Sequence, residues 1–101
     1  NVTLENKTSN SLQLRWMDIN HRLNSGVRFF VVISKSSYSN VSVRKIFPPN
    51  ITSTEITELD PYTEYNLSVV AIDGNGLPFH SSVLQARTDE SGKYNLLYML
   101  L

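Results

Sequence analysis

Apolar and polar residues alternate along much of this chain with a period of two, the mark of strands covered on one face. Leu12, Leu14 and Trp16 alternate with Gln13, Arg15 and Met17. Further on, Tyr65, Leu67, Val69 and Ala71 alternate with Asn66, Ser68, Val70 and Ile72. Val2 to Leu4 reads as a weaker first strand. Val27 to Ile33 is nearly all apolar and β-branched or aromatic, which predicts a central strand with both faces covered or one face sticky. Val41 to Phe47 reads as a mixed edge strand, with Arg44 and Lys45 suited to an exposed edge. Short strands over Thr52 to Glu58 and Ser82 to Thr88 bring the total to seven. No stretch carries a capped helical period over three turns.

The breaks between these strands are chemically marked. Thr8 to Ser11, Asp18 to Gly26, Ser34 to Asn40 and Asp73 to Gly76 are rich in Asn, Ser and Gly, and Pro48-Pro49-Asn50 ends the edge strand. The most informative break lies within Glu55 to Ile72. Pro61 fixes φ and has no N–H to give to a ladder, so the chain turns at Asp60-Pro61 and a long strand follows. Leu59 and Tyr65 then point into one core from opposite sides of a corner, where one sheet hands the chain to the other. Strands at this spacing, an early tryptophan and a corner tyrosine predict an all-β sandwich of two antiparallel sheets. Trp16 is the largest apolar anchor, and Tyr65 is expected to bond backbone a few residues upstream through its hydroxyl. Both, with Leu59, are read as structural.

Composition narrows the function classes. The 101 residues suffice for one domain with its own core. Nine basic and nine acidic residues balance, which argues against a nucleic-acid or anionic-membrane binder. Lys and Arg are scattered along the chain, so a polyanion patch requires the fold to gather them. Without cysteine there is no disulfide framework, thiolate metal site or cysteine nucleophile. His21 and His80 fall in no catalytic motif, and no nucleophile elbow, zinc-protease signature or phosphate-cradling loop is present, so no enzyme activity and no cofactor are expected. Sequons begin at Asn1, Asn6, Asn40, Asn50 and Asn66, where about two would arise by chance at this composition. That excess points to the secretory pathway. The chain starts without an initiator methionine or signal peptide and is read as a piece of a larger protein. Residues 91–101 read as a linker and an apolar tail ending Leu-Leu-Tyr-Met-Leu-Leu, too short to cross a bilayer.

Ser11-Leu-Gln-Leu-Arg-Trp16, Leu59-Asp-Pro-Tyr-Thr-Glu-Tyr65, Val70-Ala-Ile-Asp-Gly-Asn-Gly76 and Ala86-Arg-Thr-Asp89 together closely resemble a fibronectin type III domain, over residues 1–90. The resemblance implies a seven-stranded immunoglobulin-like sandwich with sheets A-B-E and C′-C-F-G. Met17-Asp18-Ile19 stands where the family usually has a proline, Lys7 where an apolar residue is common, and the usual proline before the first strand is missing. Glu64 to Gly74 also has a flavour of cadherin repeats, but Asp73 lacks the further carboxylates that calcium requires. There is no Arg-Gly-Asp after Asp73 and no Trp-Ser-x-Trp-Ser box. The resemblance implies a non-catalytic spacer and interaction module, one bead of a tandem array in a cell-surface receptor or adhesion protein. Its expected partners are neighbouring domains of the same chain and a protein ligand or a second copy. The rival is an intracellular scaffold module of a giant modular protein. In the family's register Phe29, Val31 and Ile33 point outward on strand C, and Val70 and Ile72 outward on strand F. These five are the candidate contact face.

Overall fold

A computed structural model describes residues 2–91 and is all-β apart from one 3-10 turn at Asn20–Arg22. The strands are β1 (Val2–Lys7), β2 (Leu12–Trp16), β3 (Val27–Ser36), β4 (Val43–Phe47), β5 (Ser53–Ile56), β6 (Glu64–Asp73), β7 (Pro78–His80) and β8 (Leu84–Arg87). One sheet has the order β1-β2-β5; the other runs β4-β3-β6, with β7 and β8 both paired to β6. All pairings are antiparallel. This is the sandwich the alternation predicts. The predicted tail falls outside the described residues.

The last strand differs from expectation. Pro78–His80, read from sequence as loop, pairs with Val70–Ile72, so the final strand begins earlier and is broken in two. Pro78 lacks an N–H, which an edge position at a strand's start tolerates. At the break Ser81 keeps the ladder going: its amide donates to the Val69 carbonyl at 2.8 Å and its hydroxyl accepts from the Val69 amide at 2.9 Å.

The core lies between the sheets. Leu12, Leu14 and Trp16 face Phe30, Val32, Tyr65, Leu67, Val69 and Ala71. Trp16 meets Phe30 edge-on with ring centroids 5.6 Å apart and tilts against Phe47 at 6.0 Å. Its indole nitrogen is buried without a hydrogen-bond partner among the described residues, so packing and ring contacts are what this side chain gives the fold.

The corner is built as expected and reinforced by a residue sequence reading passed over. Tyr65 is buried, and its hydroxyl accepts from the Asp60 amide at 2.9 Å while Leu59 packs against the core. Thr88, only 1% exposed, accepts from the Thr63 amide at 3.0 Å and donates to the Asp60 carbonyl at 2.6 Å. Two side chains thus hold both sides of one turn.

Candidate interaction face

The outer face of the β4-β3-β6-β7 sheet gathers the five predicted residues. Antiparallel register sets Phe29 opposite Ile72, Val31 opposite Val70 and Ile33 opposite Ser68. The rows extend beyond them: Ile46 lies opposite Val31 on one side, while His80 lies opposite Val70 and Pro78 opposite Ile72 on the other. Directly opposed residues share a face, so Ile46-Val31-Val70-His80 and Phe29-Ile72-Pro78 form adjacent rows.

Exposure within the rows is uneven. Val70 is only 6% exposed, although it lies outside the inter-sheet core. Phe29, Val31, Ile33 and Ile72 are half-buried, whereas Ile46 is 70% exposed. Sequence reading missed Ile46 because an edge strand with mixed composition has no visible register until it is paired. The signal was the one-residue spacing from Arg44 through Lys45 to Ile46, which puts Arg44 and Ile46 on one face and Lys45 on the other.

The opposite outer face is polar by contrast. There Thr3, Arg15 and Ser53 form one row, with Gln13 and Glu55 in the next, and Arg15 pairs with Glu5. The apolar rows therefore belong to one sheet only.

Acidic residues are unevenly placed as well, while Lys and Arg stay spread along the chain. Residues 19–54 contain no Asp or Glu but carry Arg22, Arg28, Lys35, Arg44 and Lys45. Four of these lie on the β3–β4 hairpin, but pairing brings only Arg44 and Lys35 to one face as near neighbours; Lys45 lies on the other face and Arg28 at the far end of β3. Arg44 lies opposite Ile33, and Lys35 is two residues along β3 on the same face. Among the described residues, the ion pairs are Lys7–Asp89, Arg15–Glu5 and Arg87–Glu64, none of which involves the hairpin. The balancing carboxylates Glu55, Glu58, Asp60 and Glu64 sit on β5, the corner and the start of β6.

β4 is also a free edge. Among the described residues it bonds β3 on one side only, and Val43, Arg44, Lys45 and Ile46 are all exposed. Between β4 and β5, where the two sheets part, runs a cleft of about 280 Å³. Val43 and Lys45 form one wall; Ile56, Glu58 and Leu59 form the other.

The sequons occupy distinct settings. Asn6 is exposed on β1; Asn40 and Asn50 are exposed in the loops flanking β4. Asn66 points outward on β6 as expected, but it is half-buried between Lys35 and Gln85, and its Oδ1 is covered and unpartnered. Asn1 lies outside the described residues. Asp73, the residue behind the calcium comparison, is 5% exposed, and its Oδ1 accepts from the Asn75 amide at 2.9 Å and the Leu77 amide at 2.8 Å. That carboxylate closes the turn after β6. His80 is exposed on β7.

A model of the fibronectin type III domain matches residues 1–87. A protein of Acropora millepora, "MAM and fibronectin type III domain-containing protein 1", is 63% identical over 90 residues, 89% of this chain and 21% of that protein. The chain thus spans about a fifth of that relative's length. Among solved structures, the FN1-FN3 domains of chicken CNTN1 superpose with a TM-score of 0.78 at 18% identity, over 89% of this chain and 31% of that one. The FN3 domain of human collagen XX gives a TM-score of 0.75 at 22% identity, over 87% and 86% of the two chains. At such identities these structures speak to the fold alone.

Proposed function

Because this chain belongs to the fibronectin type III family, we propose that it is a non-catalytic extracellular module of a larger cell-surface or adhesion protein, spacing its neighbours and offering a protein-binding surface. The observation that carries the extracellular reading is the placement of the sequons. Asn6, Asn40 and Asn50 are exposed on an edge strand and in loops, where a glycan displaces nothing in the core. Spacing is supported by where the ends leave. Val2 lies opposite Trp16, which meets Phe30 edge-on at the level of Ala71, whereas Arg87 lies opposite Glu64, seven residues down β6. At about 3.3 Å per residue the described ends are offset by about 20 Å along the strands, suited to a linear array.

Expression in a eukaryotic secretory host, with intact mass before and after glycosidase, tests the reading. Glycans are expected at Asn40 and Asn50, with Asn66 the poorest acceptor because its amide is half-covered. A secreted, folded protein of unmodified mass at every sequon would favour the intracellular scaffold.

A further inference from the structure

We propose that the free edge of β4 binds an extended segment of a partner protein by strand addition, selecting an apolar-acidic-acidic-apolar pattern. This rests on the reading of the domain as a protein-interaction module and names the chemistry of its partner.

The pattern follows from β4 itself. An added strand pairs side chains across the edge, like with like in face. Arg44 and Lys45 each call for a carboxylate opposite, and Val43 and Ile46 each call for an apolar side chain. Read in either direction, the complement of Val43-Arg44-Lys45-Ile46 is the same, so the pattern does not depend on whether the segment runs parallel or antiparallel. The charges are unclaimed, since neither Arg44 nor Lys45 has an ion-pair partner among the described residues. On the inward side, the segment's residues opposite Val43 and Lys45 point toward the cleft beside β5, whose volume of about 280 Å³ admits an aliphatic side chain. On the outward side, the residue opposite Ile46 continues the row through Val31 and Val70.

The chain does not supply this segment. Its one pair of adjacent carboxylates, Asp89-Glu90, is flanked by Thr88 and Ser91, not by apolar residues. A second copy therefore lacks the complement. A sulfated polysaccharide would satisfy the charges but leave Val43, Ile46 and the cleft unused. The observations favour a protein strand.

The probe is a dye-labelled Thr-Val-Glu-Glu-Val-Thr peptide, titrated against the 101-residue chain at low salt and followed by fluorescence anisotropy. Controls are Thr-Val-Lys-Lys-Val-Thr, Thr-Ser-Glu-Glu-Ser-Thr and a heparin oligosaccharide. Binding of the first peptide alone is expected, with slowed exchange of β4 amide hydrogens. Arg44→Glu with Lys45→Glu should weaken it roughly tenfold or more and transfer binding to the lysine peptide. Both positions are exposed, so the double variant should keep the parent's melting behaviour. Glu58→Gln, which removes a carboxylate from the cleft wall, should tighten binding of the acidic peptide. The proposal is overturned if the folded parent ignores the acidic peptide, because the two charges then only guard the edge against pairing. It is overturned too if the serine peptide or heparin binds as well as the valine peptide, which would make this a simple anion surface. Neither result bears on sequon occupancy, so the extracellular reading stands or falls separately.

Discussion

At the scale of single residues, Tyr65 and Thr88 make a paired test. Both tie the corner, but one does so through one bond and the other through two. Tyr65→Phe removes an acceptor from the Asp60 amide and should lose about 0.5–1.5 kcal/mol. Thr88→Val keeps the volume yet leaves the Thr63 amide and the Asp60 carbonyl without their partner in a buried place. Its cost should be larger, about 2–4 kcal/mol. Urea titration of both variants checks the order; a smaller loss for Thr88→Val would show that the turn relaxes to water. The tyrosine was legible in sequence because it stands four residues after a proline-set turn at the head of an alternating strand. The threonine was not, since nothing local distinguishes Thr88 from a surface threonine at a strand end. Its importance comes from partners 25 and 28 residues away in the chain.

At the scale of elements, strands facing the core were legible and strands at the edges were only half so. β2, β3 and β6 each carry apolar residues every second position, and burial follows that period closely. β4 and β7 have few buried positions, so their register and even the existence of β7 are set by what they pair with. Loops depend on contacts of the same non-local kind. Gly74 does not need a left-handed backbone; it needs space, because a Cβ there would lie 2.6 Å from the Ser25 carbonyl oxygen. That approach is fixed by the Gly74 amide, which donates to the Gly26 carbonyl at 3.2 Å and the Ser25 hydroxyl at 3.1 Å. Gly74→Ala should therefore push the loop after β6 away from the loop before β3 and cost about 1–3 kcal/mol. Gly76 is the opposite case, with φ of +82° and open space around it. There alanine meets no neighbour and strains the backbone only, by about 1–2 kcal/mol. Amide exchange should separate the two: Gly74→Ala exposes amides in both loops, Gly76→Ala in one.

At the scale of the molecule, the two outer faces have diverged, and that difference decides what each apolar residue does. One sheet turns Thr3, Gln13, Arg15, Ser53 and Glu55 to solvent; the other turns Val31, Ile46, Val70 and Ile72 outward. The doubled apolar pattern in β3 and β6 predicted the second face, but exposure divides its members into two kinds. Val70, buried at 6% exposure, contributes to stability, whereas Ile46 is 70% exposed at the edge. Phe29, Val31, Ile33 and Ile72 are half-buried and Val70 is buried, so little of the face stands open, whereas stable association typically takes ~800 Å² per partner. Such a face suits a short segment better than a second globular copy. Val70→Thr puts a hydroxyl into a covered site and should cost about 1–3 kcal/mol. Ile46→Thr should stay within about 0.5 kcal/mol of the parent. In binding the order reverses: Ile46→Thr should weaken the acidic peptide severalfold, while Val70→Thr, once refolded below its lowered melting point, should bind it like the parent. Urea midpoints and anisotropy titrations on the same two proteins read both effects. Equal losses of stability would mean that Val70 gains nothing from its neighbours, and equal binding would remove Ile46 from the contact and with it the outward half of the proposed site.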